Sequence, residues 1–200
     1  SICQSIESIL SKNSSKKSIF LSETSLTLGI KYLPILINDR SESNAKGMFL
    51  ASRLAGESIN ITKTTAAHAY SYYLTYHHNI PHGIAVAIIL EKLINQLKEV
   101  SLENYNKINS FFTFSGYDDF SGFLNQFNIE KYDLKNINEK LFLSSVNQER
   151  LKNYPFKIDS VNFFKKHDGF TLTESITINY LCYLLFYNLK KTKIFEHINK

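Results

Sequence analysis

His68 and His82 are the two side chains in this 200-residue chain whose type and surroundings point to chemistry. Neutral imidazole is the commonest protein ligand for a divalent transition metal, and it suits iron and zinc equally. His68 lies among small residues in the run Ala66-Ala67-His68-Ala69-Tyr70-Ser71-Tyr72-Tyr73-Leu74, and His82 follows the turn Asn79-Ile80-Pro81. A chain that folds back at that turn can bring the two rings together. A catalytic divalent site needs three or four protein ligands and an open position, so two histidines do not define one by themselves. The same residues also suit two histidines that fill core or cap positions. His77 and His78 form a second pair, but neighbours on a helix point about 100° apart and cannot both face one site. His167 and His197 have no context that assigns them a role.

Two rings held in register require packed helices, and the rest of the chain reads as helical. A short helix is expected over Ser1–Lys12, with Ile2, Ser5, Ile6, Ile9 and Leu10 on one side, and a second over about Lys16–Asp39, with a kink or restart at Pro34. Asn13-Ser14-Ser15 between them supplies a break and capping side chains. A third helix carries Met48, Phe49, Leu50, Leu54 and Ala55, and its small residues Ala51, Ser52, Ala55 and Gly56 let another helix come close. The run from Ala66 ends near His78. Ile84–Val100 is apolar nearly all round in its first two turns, which places it at the centre of a bundle. Gly83 before it would admit a neighbouring backbone. Further helices are expected near Leu102–Phe112, Asp118–Phe127, Ile137–Val146, Asp159–Lys166 and Thr173–Leu189. The fold class is therefore all-α, a multi-helix bundle.

Composition agrees and excludes several classes. Hydrophobic residues are 44% and charged residues 20%, too apolar for a disordered chain, and seven Gly with three Pro argue against folds made of many tight turns. The net charge of +5 is scattered along the chain instead of gathered in a stripe, so no nucleic-acid partner is expected. Cys3 and Cys182 are lone thiols without zinc-ligand spacing and fit a reducing compartment. No basic-then-apolar leader opens the sequence, and the apolar runs Ile84–Leu90 and Tyr180–Tyr187 fall short of the roughly 20 residues of a membrane span. The expectation is a cytoplasmic protein with no membrane association.

Three stretches carry a resemblance. They are Leu50-Ala51-Ser52-Arg53-Leu54-Ala55-Gly56, then Asn60-Ile61-Thr62-Lys63-Thr64-Thr65-Ala66-Ala67-His68-Ala69, then Ile80-Pro81-His82-Gly83-Ile84-Ala85-Val86-Ala87. Together they resemble the C-terminal helical half of the iron-containing (group III) alcohol dehydrogenases. The 14-residue interval from His68 to His82, ending in Pro-His-Gly, is similar to the spacing of that family's two metal-binding histidines. Ser5-Ile6-Glu7-Ser8 with Asn13-Ser14 resembles the first helix of that half, and Asn147 to Pro155 resembles its late Asn-Pro segment. The likeness spans most of residues 1–166, and Lys63 to His68 look closest to the phosphonoacetaldehyde reductase-like branch. Dehydroquinate synthase relatives share the two-half architecture, but Pro81-His82-Gly83 favours the alcohol dehydrogenases.

The resemblance implies a divalent metal, Fe2+ or Zn2+, held by His68, His82 and Gln4. The family's remaining ligand, an Asp, would fall one position before Ser1. It implies NAD(P) as cofactor, bound by a nucleotide-binding half that residues 1–200 do not contain, and a small alcohol or aldehyde as substrate. Lys63 becomes a candidate point charge for an anionic substrate group. Tyr72 stands where many members place a pocket histidine, four residues after the first ligand, and is the candidate catalytic side chain. The expected organisation is one helical metal-binding domain over 1–200, with 167–200 as an extra helical tail, inactive in isolation. A non-catalytic helical domain that packs or assembles with a partner is the competing expectation: the aromatic stretch Tyr180–Tyr187 either covers the surface left bare by the absent half or belongs to the core, and a face left bare would drive pairing with a second copy.

Overall fold

The computed structural model describes residues 1–132, 134 and 137–164. The described residues fall within one compact unit, Ser1–Phe164. The expected helix Thr173–Leu189, the tail 167–200, Tyr180–Tyr187, His167 and His197 lie outside the described residues. Among those described, helices and short 3-10 turns account for all the regular structure.

Helix α1 (Ile2–Leu10) buries Ile2, Ser5, Ile6, Ile9 and Leu10, the set read from the sequence, but it also buries Glu7 and Ser8. Helix α2 (Lys16–Asn38) begins with a capping box: the Ser15 hydroxyl accepts from the Ser18 amide while the Ser18 hydroxyl accepts from the Ser15 amide. It runs through Pro34 to Asn38 with no restart. Helix α3 (Glu42–Thr62) returns antiparallel to α2 and buries Ala51, Ala55 and Ser58 against it.

Small side chains let α1, α2 and α3 approach closely, and their buried hydroxyls then have to find partners among themselves. Ser5 donates to Ser25 at 2.8 Å, and Ser25 donates to the Ala51 carbonyl at 2.7 Å. The Ser58 hydroxyl is bonded to those of both Ser8 and Ser22, and Thr62 donates to Ser8 at 3.1 Å. Gly29 is required by this proximity, since a Cβ there would lie 2.7 Å from Ile2 Cγ1. The hydrogen bonds are directional, so the seam fixes the rotation of α1 as well as its position.

Helices α4 (Ala66–His77) and α5 (His82–Val100) form the expected hairpin. Asn79 makes the turn at φ 52°, a left-handed conformation that asparagine tolerates. Ile80 is buried and its amide donates to the Leu74 carbonyl, after which Pro81 precedes the first turn of α5. Every residue from Ala85 to Leu90 is buried, as the all-round apolar pattern predicts for a central helix. Gly83 does not have the role expected of it: nothing lies within 4 Å of where its Cβ would be.

The later helices are shorter than predicted. Helix α6 (Leu102–Thr113) matches, but Asp118–Phe127 resolves into α7 (Phe120–Leu124) and a 3-10 turn, because the Asp119 carboxylate caps the Gly122 amide and fixes the start. Ile137–Val146 contracts to α8 (Glu139–Ser144), capped by Asn138. Asn147 caps a single-turn α9 (Gln148–Leu151) that periodicity did not reveal. At Asp159–Lys166 only the 3-10 turn Ser160–Asn162 is present within the described part. By length and composition α2 is the one described helix able to cross a membrane, but its Ser18, Ser22 and Ser25 face α1 and α3.

Candidate metal centre

The hairpin aims both imidazoles into one cavity. The ring centroids of His68 and His82 are 5.4 Å apart, with their planes inclined at 67°. Both line a cavity of about 640 Å³ together with Gln4 from α1. The three residues assigned from resemblance as ligands thus come together from α1, α4 and α5. The Gln4 side chain makes no hydrogen bond to the described residues, which leaves its amide oxygen available. The remaining wall is largely apolar and includes Leu33, Met48, Phe120, Phe123, Phe127 and Ile129.

His68 is 7% exposed and is held by a residue to which the sequence assigned no role. Glu7, 1% exposed, places one carboxylate oxygen on His68 Nδ1. Its other oxygen accepts from the Thr65 amide at 3.0 Å, the Thr65 hydroxyl at 2.8 Å and the His68 amide at 3.1 Å. The His68 ring therefore turns Nε2, the atom opposite the tether, away from Glu7. A ligating histidine ordinarily gives its second ring nitrogen to a carboxylate in this way. The signal that could have found Glu7 is its spacing: it follows Gln4 by three residues and so lies on a neighbouring face of α1.

His82 is exposed at the cavity mouth and lies flat on Tyr72, with centroids 5.8 Å apart and planes 12° from parallel. Partial burial, and then the nearby His68 ring and Arg150 guanidinium, hold its pKa below the ordinary histidine range, while Glu7 acts in the opposite sense. These effects favour the neutral imidazole, the form that ligates a metal. Tyr72 in turn lies under Arg150, whose guanidinium carbon is 5.6 Å from the Tyr72 ring centre and whose Nη1 bonds the Thr64 hydroxyl. Sequence reasoning missed Arg150, because the contact joins α9 to α4 across 78 positions that no local pattern spans.

Lys63 is exposed outside this cavity's lining, and its ammonium donates to the Asn60 carbonyl at 3.2 Å. Its backbone is unusual, with φ 60° and ψ 168°, and turns the chain sharply from α3 into Thr64-Thr65. Cys3 also lines the cavity, but its thiol is pushed up to about 12, first by burial, with the charge of Glu7 adding to the rise. It is therefore a protonated wall residue at neutral pH. His77 and His78 both pack on the Tyr73 ring and not on the site, at 4.8 and 5.4 Å between centroids.

The candidate donor set consists of two imidazoles and an amide oxygen, none of them anionic, backed by one buried carboxylate. No group of three or more His, Cys, Asp or Glu gathers anywhere among the described residues. The set fits a borderline divalent cation such as iron or zinc through its nitrogens. It includes no anionic donor among the described residues.

Comparison with known proteins agrees with this architecture. The family model for the C-terminal part of the Fe-containing alcohol dehydrogenase family matches residues 2–154. An iron-containing alcohol dehydrogenase from Thermotoga maritima is 27% identical, with a TM-score of 0.72, over 81% of this chain and 44% of that one. A sulfoacetaldehyde reductase from Bifidobacterium kashiwanohense, solved with NAD+, shares the fold at 24% identity and a TM-score of 0.67, over 81% of this chain and 46% of its own. An alcohol dehydrogenase from Oenococcus oeni does so at 14% identity and a TM-score of 0.66, over 82% and 48%. No curated protein matches the chain. The 200 residues thus span less than half the length of these solved relatives. With the paired histidines, the helical hairpin and the matched segment in agreement, the chain belongs to the Fe-containing alcohol dehydrogenase family and corresponds to its C-terminal, all-helical part.

Proposed function

We propose that this chain is the metal-binding half of an NAD(P)-linked alcohol or aldehyde oxidoreductase, with His68, His82 and Gln4 as its ligands for Fe2+ or Zn2+. The observation that carries the reading is the convergence of the two rings, 5.4 Å apart, on a cavity that Gln4 also lines, with Nδ1 of His68 already engaged by Glu7. When bound, the cation supplies Lewis acidity toward the substrate oxygen, and the nicotinamide supplies the hydride donor or acceptor.

The chain's own residues bind and orient. His68 and His82 present neutral nitrogens from two rigid helices, and Tyr72 acts as a stacking plate that sets the plane of His82. The wall from Phe120 to Ile129 gives an apolar bed for the substrate's carbon chain and excludes water from the reacting end. The phosphonate-aldehyde variant of this reading has less support, since no Lys or Arg lines the cavity among the described residues and Lys63 lies outside its lining. An uncharged alcohol or aldehyde suits that lining better.

Because no anionic donor joins the two histidines and Gln4 among the described residues, the 200 residues alone bind a divalent cation weakly and lack the partner half that hydride transfer needs. Titration with Zn2+ or Co2+ tests the assignment. The wild-type chain should bind one equivalent, and His68→Ala and His82→Ala should each abolish it. Equal metal content in all three would remove both histidines from the ligand set. NAD(P)H-dependent aldehyde reduction by the purified chain would overturn its expected inactivity.

A further inference from the structure

We propose that Glu7 is the positioning residue for His68, a single carboxylate that caps α4 and fixes which ring nitrogen of His68 faces the cavity. The zinc arm of its test rests on the metal reading above; the ring-proton arm does not.

Thr65 occupies the N-cap position of α4, but its hydroxyl donates to Glu7 and makes no cap bond of its own. Glu7 takes over that duty from another helix. Its first oxygen accepts the amide of His68, the third residue of α4, which is the amide an N-cap side chain normally satisfies. It also places a negative group at the positive end of the helix dipole. The second oxygen meets His68 Nδ1. The backbone and the ring of one residue are thus gripped by the two oxygens of one side chain.

A carboxylate in this position accepts every bond it makes, so Nδ1 has to be the donor. The neutral ring then carries its proton on Nδ1 and leaves the Nε2 lone pair bare. That lone pair belongs to a ring that lines the cavity, which is the presentation an incoming cation requires. Without Glu7 the proton is free to sit on Nε2, where it blocks ligation.

Glu7→Gln tests this with almost no change of shape. The amide keeps three bonds if its oxygen stays toward Thr65 and the His68 amide, but its NH2 then faces Nδ1. Nδ1 must become the acceptor, and the ring proton moves to Nε2. Long-range 1H–15N spectra of the metal-free full chain read this directly. Wild type should show a protonated Nδ1 and a bare Nε2, and Glu7→Gln the reverse. Zinc affinity should fall by about 10–100-fold in Glu7→Gln. Thr65→Val removes one Oε1 donor and spares the Nδ1 contact, so it should lower stability while leaving tautomer and affinity near wild type. A wild-type ring protonated on Nε2 overturns the proposal, even if Glu7→Gln fails to fold. An unchanged tautomer in folded Glu7→Gln overturns it as well. If the tautomer reverses as expected but wild type and His68→Ala bind zinc equally, the positioning role stands and the metal reading fails.

Discussion

Replacing Lys63 by glycine should stabilise this protein, although the lysine itself is exposed and hydrogen-bonded. Its φ of 60° with ψ of 168° falls in a region that essentially only glycine visits freely. A side-chain-bearing residue there costs about 1–3 kcal/mol. Glycine relieves that strain but enlarges the unfolded ensemble, which returns about 0.4–1 kcal/mol. The net gain is about 1 kcal/mol, or roughly 2–4 °C in Tm for a chain of this size. Lys63→Ala provides the control: it removes the charge and the bond to the Asn60 carbonyl but keeps the strain, and should stay within about 0.5 kcal/mol of wild type. Thermal and urea unfolding of the three full-length chains measure both effects. Should Lys63→Gly melt at or below wild type while Lys63→Ala is neutral, the corner is not strained and the reasoning fails. The pair also separates backbone from charge, since both variants lose the ammonium but only the glycine one loses the strain.

Three further outcomes follow from the packing and electrostatics. Ser58→Ala should lose about 1–3 kcal/mol in urea unfolding, because Ser8 and Ser22 both lose a buried partner, whereas exposed Thr27→Ala should stay within about 0.5 kcal/mol. Gly29→Ala should destabilise by about 1–3 kcal/mol through its clash with Ile2, and the combination with Ile2→Ala should cost less than the sum of the two. Arg150→Met should raise the pKa of His82, followed by NMR titration of the metal-free chain. A folded-state histidine pKa below its unfolded value means that the unfolded chain binds more protons, so stability falls as pH drops through about 6.5 toward the folded value. Removing Arg150 should flatten that slope.

The parts of the site that lie close together in sequence were legible; the parts that join distant helices were not. Small residues around His68, the Asn-Ile-Pro turn and the all-round apolar start of α5 specify a hairpin locally, and the structure builds that hairpin. The resemblance placed Gln4 with the two histidines, and the geometry brings all three to one cavity. Glu7 escaped because its meaning lies 61 residues away, and Arg150 because α9 is a single turn set by the Asn147 cap, with no periodicity to read. The shortened α7 and α8 have the same origin: Asp119 and Asn138 side chains bond backbone amides and override the apolar spacing. Gly83 shows the limit of reading single residues, since no neighbouring backbone approaches it, and Pro34 does not end the helix that contains it.

Gln4 and Glu7 ride on the same short rod, and the hydroxyl seam indexes that rod against α2 and α3. One end of the rod offers an oxygen to the cavity while the next turn holds the opposing imidazole at its correct pitch. Loosening one grip without the other would require the rod to twist, which breaks several serine contacts at once. Both the place of Gln4 in the cavity wall and the tether on His68 are therefore set by serines that do not line the cavity at all.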